Sequence, residues 1–384
     1  MAKTLGVGII GCGNISSTYF RLAPLFKGIE IRACADINLD SAKAQAQTFG
    51  VRAVSVDALL KAKDIDIIVN LTIPAAHFGV AKKILQAGKH VYSEKPFVLS
   101  VKEGKELTAL AAKKRVRIGS APDTFLGGSH QLARHLIDNG KIGKITSGTC
   151  HIMSHGMEHW HPNPDFFYQP GAGPMLDIGP YYITNLVQLL GPVSRVIAHS
   201  STPQKTRTIS SKPRRGEKLK VTTPTTIHAI LEFKSGAIIT MATSWDVWQH
   251  SHSTMELYGA DGTIHVPDPN FFGGTVEITK QAKPVKKLPK WVHPFAVNNE
   301  ASSAGDVANY RTAGLADMAI AILEKRPHRC APDLALHAVD VMTSVLKAGA
   351  TGRSVSLTTT CKRPAPLTPK DARALMLPKR TGKK

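Results

Sequence analysis

The 384-residue chain has no apolar run approaching the roughly 20 residues that cross a bilayer, which argues against a membrane-spanning helix. The short run Leu5 to Ile10 passes directly into glycines. It reads as a first strand rather than the longer apolar region of a signal peptide, so a cytoplasmic protein with no membrane partner is expected. Cysteine is scarce: Cys12, Cys34, Cys150, Cys330 and Cys361 are odd in number, widely spaced and without a Cys-x-x-Cys pair. They support neither a disulfide framework nor a cysteine zinc site. Acidic residues are few as well, 28 against 49 Lys and Arg, and the formal net charge is +21. The excess gathers in Lys205, Arg207, Lys212, Arg214, Arg215, Lys218 and Lys220, and again in Lys362, Arg363, Lys370, Arg373, Lys379, Arg380, Lys383 and Lys384. Aromatics amount to only 6%, and neither basic run interleaves them as a base-stacking surface would. Both runs read as solvated basic surface, with no specific nucleic-acid partner.

What is present is globular: 42% apolar and 20% charged residues over a length that suggests two domains. The first 120 residues alternate short Ile- and Val-rich runs (5–10, 29–35, 65–71, 116–120) with helix-like stretches (15–26, 39–48, 75–87, 101–114). Buried parallel strands look like this, and the rhythm predicts a doubly wound sheet of the Rossmann type over residues 1–122. After Pro122 a helix at 129–138 gives way to strand-like stretches at 144–153, 193–200, 226–233, 237–245, 253–258 and 263–267. Helices at 306–324 and 331–349 follow. This predicts an α/β second domain over 123–359 with a large open, mostly antiparallel sheet. The stretch 201–220 reads as an exposed loop, and 360–384 as a loosely held basic Pro/Lys-rich tail.

Strand one ends in Gly11-Cys12-Gly13-Asn14-Ile15-Ser16. Gly11 suits the tight turn, Gly13 the close approach of a pyrophosphate, and Ser16 the packing of helix on strand. The helix amino terminus, from Asn14 and Ile15, offers free N–H groups to phosphate. The second strand delivers Asp36, whose carboxylate accepts from both hydroxyls of an adenosine ribose and repels a 2′-phosphate. Ile37 and Asn38 offer that phosphate no cation, so NAD is favoured over NADP. Lys95, in Ser93-Glu94-Lys95-Pro96, follows another strand and would point into the cofactor crevice, where an ammonium stabilises a developing alkoxide. Asp177 and Tyr181 are four apart, on one face if a helix starts there.

With these motifs the sequence resembles the Gfo/Idh/MocA family of NAD(P)-dependent oxidoreductases, which act mainly on sugars, cyclitols and related polyols. The resemblance covers nearly all of residues 4–357. It rests on Gly11 to Asn14, Asp36, Thr72-Ile73-Pro74 with His77, Glu94-Lys95-Pro96, Asp177 to Tyr182, Tyr258 to Asn270, and Arg326-Pro327-His328-Arg329. It implies that Lys95 and Asp177 are catalytic, that Thr72, Pro74, His77 and Glu94 line the cofactor site, and that the large sheet joins copies of the chain into a homo-oligomer. Where most members carry a histidine four residues after the aspartate, this chain has Tyr181, in a Pro180-Tyr181-Tyr182 variant. A phenol has a pKa near ~10, but its anion is favoured beside Lys95. The rival proton-transfer group is His161, the last histidine of His151-x3-His155-x3-His159-Trp160-His161. A histidine titrates in the right range for the task. His159, Trp160 and His161 are expected to form a polar sugar-binding wall, on which Trp160 stacks against a sugar or packs into the core; no metal is expected there.

The expectation is an oxidoreductase transferring a hydride between NAD and a secondary alcohol carbon of a sugar, cyclitol or sugar derivative. Two alternatives follow from the same resemblance. One is a glycoside hydrolase using tightly held NAD for transient oxidation and elimination; the other is a non-catalytic protein that senses sugar or dinucleotide.

Overall fold

The computed structural model describes residues 4–285, 288–302 and 305–378. Six parallel strands form the first sheet: β1 (Leu5–Ile10), β2 (Ile29–Ala35), β3 (Arg52–Ala53), β4 (Ile67–Asn70), β5 (His90–Ser93) and β6 (Ile118–Ser120), in the order β3-β2-β1-β4-β5-β6. Helices α1 (Asn14–Leu22), α2 (Leu39–Phe49), α3 (Val56–Lys61), α4 (Pro74–Gln86) and α5 (Val101–Lys114) connect them. Strand β1 is buried at every position, as a parallel strand covered on both faces must be. Helix α5 starts on a capping box, Ser100 accepting from Glu103 N and Glu103 accepting from Ser100 N, and α2 stops where Gly50 turns left-handed at φ 69°. The strand order reverses beside β1, which opens a crevice at the carboxyl ends of β1 and β4.

The second domain contains α6 (Gly128–Asp138), β7 (Ile145–Met153), α7 (Pro174–Asp177), α8 (Gly179–Leu190), β8 (Val193–Ser201), β9 (Thr206–Thr208), β10 (Lys218–Lys220), β11 (Thr226–Phe233), β12 (Ile238–Ser244), β13 (Met255–Gly259), β14 (Gly262–Val266), β15 (Glu277–Lys280) and β16 (Lys283–Pro284). After it come β17 (Glu300–Ser302), β18 (Gly305–Val307), α9 (Ala313–Leu323), α10 (Pro332–Thr351), β19 (Val355–Ser356) and α11 (Pro369–Leu375). Nine of these strands form one open sheet, β16-β15-β14-β13-β7-β12-β11-β8-β19. Its pairs are antiparallel except β7 with β12. Helix α8, buried along its whole length, lies under this sheet, and α10 packs on α8 and β8 as well as on α5 and β6 of the first domain.

The structure corrects three expectations. The helix expected at 306–324 begins only at Ala313, because Gly305–Val307 pairs with Glu300–Ser302. The basic stretch 201–220 is not a free loop: β9 and β10 pair across it and bury Arg207, Ile209 and Leu219. With Val221, Met157, Phe167, Tyr168 and Trp245, the latter two make a second small core. The segment after Thr360 is not loosely held. Leu367 is fully buried and donates its N–H to Gln131 Oε1, Leu375 is buried, and Met376 bridges Phe26. Residues 379–384, with Lys379, Arg380, Lys383 and Lys384, lie outside the described residues.

Candidate active site

The glycine turn behaves as its residue types require. Gly11 has φ 101°, and a Cβ there would stand 2.6 Å from the Leu71 carbonyl, so only glycine fits. Gly13 has the opposite surroundings. A Cβ on it would meet nothing within 4 Å, which leaves the amino end of α1 open to a ligand. No acidic residue occupies the first turn of α1, so its dipole and N–H groups face outward uncompensated. Asp36, at the end of β2, is tied to this turn: Oδ2 accepts from Cys12 N at 2.7 Å and Oδ1 from Asn38 N at 2.8 Å. The open space at Gly13 and the carboxylate beside it fit a dinucleotide, with pyrophosphate at Gly13, Asn14 and Ile15 and the ribose at Asp36. Ile37 and Ile73, exposed just beyond the ends of β2 and β4, are apolar surfaces on either side.

The reacting groups converge next to this turn. A cleft of about 300 Å³ is lined by Ile15, Thr72, Pro74, Glu94, Lys95 and Tyr181, with Asp177, Phe166, Phe167 and Arg311 among the rest. A larger hollow of about 820 Å³, against α9, α10 and the C-terminal segment, shares no residue with it and contains none of the motif residues at the strand ends. Lys95 Nζ donates to Asp177 Oδ1 and to the Asp177 carbonyl, both at 2.8 Å. Burial alone would lower the Lys95 pKa, but Asp177, Tyr181 and Glu94 outweigh it and hold the ammonium above its ordinary value. The Tyr181 ring centroid is 5.3 Å from Lys95 Nζ and 5.9 Å from Arg311 Cζ. Asp177 and Tyr181 reach one cleft because α7 runs into α8 through Ile178, which keeps helical backbone angles. Glu94 is held by Tyr19, whose hydroxyl donates to Oε1 at 2.9 Å, and by Lys95 N, which donates to Oε2 at 2.9 Å.

Four residues stand elsewhere than expected. His77 does not face the crevice: it is 1% exposed, with Nδ1 2.7 Å from the Pro96 carbonyl and Nε2 2.9 Å from that of Thr72. Burial pushes its pKa down, and its ring fixes the two cleft-lining segments from behind. His161 packs edge-on against Phe166 and Phe167, its Nδ1 accepting from Asn163 N, so these rings stand in the cleft wall and the imidazole does not. His159 and Trp160 are exposed, and neither lines the cleft. The other two histidines of the run are also dispersed, His151 stacking on His252 and His155 on Trp248. Among the described residues no group of three or more His, Cys, Asp or Glu is placed to hold a metal ion.

Sequence reasoning missed Arg311, Tyr19 and Asn70. Asn70 is fully buried; it donates to the His77 carbonyl and accepts the Thr72 hydroxyl at 2.7 Å. Arg311 lies in an irregular loop before α9 that carries no motif; only its solitary charge before an apolar helix could have drawn attention to it.

Residues 5–121 match the description "Oxidoreductase family, NAD-binding Rossmann fold", and residues 130–265 match "GFO/IDH/MocA C-terminal domain". The chain belongs to the Gfo/Idh/MocA family. A relative within it, dTDP-3,4-didehydro-2,6-dideoxy-alpha-D-glucose 3-reductase from Saccharopolyspora spinosa, is 27% identical over 273 residues, 69% of this chain and 75% of that protein. Inositol 2-dehydrogenase from Salmonella paratyphi B is 30% identical over 163 residues, 41% of this chain and 46% of that protein. Two uncharacterized oxidoreductases of Schizosaccharomyces pombe are 31% and 28% identical; the matched segments span about half the length of these relatives, 42% and 53%. The family fold is also that of an aldose-aldose oxidoreductase from Caulobacter crescentus, crystallised with glycerol, at a TM-score of 0.74 and 21% identity over 92% of this chain and 100% of that one. Among the described residues, no helix is long and apolar enough to cross a membrane.

Proposed function

We propose that the protein is an NAD-dependent oxidoreductase moving a hydride between the nicotinamide ring and a secondary alcohol carbon of a sugar, cyclitol or sugar derivative. The observation that carries this is the constellation of Lys95, Asp177 and Tyr181 in one cleft beside the open glycine turn. The named relatives, a dTDP-sugar reductase and an inositol dehydrogenase, support a sugar or polyol substrate. Asp36 supports NAD over NADP, since a ribose 2′-phosphate would meet its carboxylate with no cation at Ile37 or Asn38.

Bound NAD supplies the redox chemistry by accepting or returning the hydride. The chain's residues do the rest. Asp177 holds Lys95 by two 2.8 Å contacts, so the ammonium stays charged and fixed where the substrate hydroxyl gathers negative charge. Tyr181 Oη takes the hydroxyl proton during oxidation and returns it during reduction, its ring standing 5.3 Å from Lys95 Nζ and 5.9 Å from Arg311 Cζ. Glu94, locked by Tyr19, keeps the Lys95 backbone in register. Phe166 and Phe167 offer the cleft the aromatic surface for stacking against a sugar that was expected of Trp160. We place subunit association on the outer face of the nine-stranded sheet, where Ile230 and Ile238 are exposed; light scattering showing a monomer would remove that part.

Tyr181→Phe tests the proton-transfer assignment. Loss of this group is expected to lower kcat by ~10²–10⁴ with the fold and NAD affinity retained. Undiminished turnover would return the role to another group.

A further inference from the structure

Arg311 is a cation in the cleft with no carboxylate hydrogen-bonded to it. Its guanidinium hydrogen-bonds the Tyr181 side chain and otherwise meets amide and carbonyl oxygens: Nη1 is 3.3 Å from Asn309 Oδ1, and Nη2 is 3.2 and 3.1 Å from Asn270 O and Oδ1. The other buried guanidinium groups behave differently, Arg207 pairing with Glu158 and Asp246, and Arg134 with Asp138. Glu94 and Asp123 act on Arg311 through space, yet both are engaged elsewhere. Glu94 binds Tyr19 and the Lys95 N–H, while Asp123 Oδ2 accepts from Thr312 N and Gly314 N. Lys95, the other cation of the cleft, is committed to Asp177. A guanidinium drawn out of water gains most from a hydrogen-bonded anion, and its planar fork matches a carboxylate.

We propose that the substrate is a sugar acid whose carboxylate is held by Arg311 while the alcohol that reacts lies against Lys95 and Tyr181. This rests on the oxidoreductase reading above. The carboxylate takes no part in the electron transfer: the alcohol carbon gives its hydrogen as a hydride to NAD, and the hydroxyl proton leaves through Tyr181. One guanidinium with no carboxylate hydrogen-bonded to it carries one charge, which suits a carboxylate better than a phosphate dianion. The hairpin tied to the cleft wall has the same sign. Lys212, Arg215, Lys218 and Lys220 are exposed on the basic hairpin, which an Arg214–Asp165 ion pair ties to the segment bearing Phe166 and Phe167. Such a field concentrates anions near the cleft.

Calorimetric titration of the NAD-loaded full chain with matched pairs, glucuronate and glucose, galacturonate and galactose, with glucose 6-phosphate as a third arm, reads recognition without turnover. At least one uronate is expected to bind about ten- to a hundredfold more tightly than its neutral partner. Arg311→Gln should abolish the difference and Arg311→Lys should keep part of it, both retaining NAD binding. Equal affinity for acid and neutral members, preference for the phosphate ester, or a preference that survives in Arg311→Gln would overturn the proposal. Following the same pairs at 340 nm separates the two readings: tight uronate binding without NADH supports the recognition and sinks the dehydrogenase. NADH from neutral sugars alone, with kcat lowered in Arg311→Gln, would instead assign Arg311 to the Tyr181 hydroxyl and overturn the proposal.

Discussion

At the scale of single residues, the glycine turn separates shape from binding. Gly11→Ala places a methyl 2.6 Å from the Leu71 carbonyl in a left-handed backbone, so it should destabilise the fold by at least ~1–3 kcal/mol, read as a lowered Tm. Gly13→Ala meets nothing within 4 Å and should melt like the parent, yet lose NAD affinity at least tenfold in a titration. Equal effects of the two on Tm would refute the division. The two glycines, Asp36 and Lys95 were legible because each follows a strand end, and Asp177 and Tyr181 because they stand four apart where a helix starts. Arg311, Tyr19 and Asn70 were not legible, since they reach the cleft through loops and buried hydrogen bonds that leave no spacing behind. His161 and Trp160 misled for the converse reason: a dense run of histidines looks like a site, while the turns after Met153 scatter the rings onto separate aromatic partners.

At the scale of elements, the basic hairpin shows how a count of charges can hide a core. Arg207 is almost completely buried between Glu158 and Asp246, and the Tyr168 hydroxyl donates to Glu158. Arg207→Ala leaves two buried carboxylates facing each other, so we expect a loss of ~3–5 kcal/mol and rapid proteolysis within residues 201–222. Phe167 belongs to the same small core, so the cleft wall should loosen with it. Unchanged proteolysis would mean that the hairpin is held by its apolar residues alone. The parallel strands were readable as continuous apolar runs, whereas Arg52–Ala53 has only two residues, neither buried, and Val56–Lys61 is a helix of six residues; both are too short for any period to emerge. In the C-terminal segment, the Pro and Lys content obscured Leu367 and Leu375, two apolar anchors among charged neighbours.

At the scale of the whole molecule, stability should depend on pH through buried histidines. Burial pushes His90, His130, His293 and His337 each down to about 4. Three of them use a ring nitrogen as acceptor, His90 from Arg117 N, His293 from Phe295 N and His337 from Val193 N, which only the neutral ring can do. The unfolded chain binds these protons below about pH 6.5 and the folded chain does not, so their contribution is complete above that pH and is lost as pH falls toward 4. Asp123, pushed up to about 6 by burial, acts in the opposite sense but is one group against four. Stability is therefore expected to fall steeply between pH 6.5 and 4, by up to ~1.4 kcal/mol per pH unit for each histidine, read as a falling Tm; a flat profile would contradict this. The central claim, that the cleft oxidises an alcohol at the expense of NAD, is tested most directly by absorbance at 340 nm of the purified protein with NAD and a panel of sugars, sugar acids and glycosides. Steady NADH formation with one member of the panel is the expected result. Cofactor that is reduced once and stalls while an aglycone is released, or NAD bound with no reduction by any member, would contradict it.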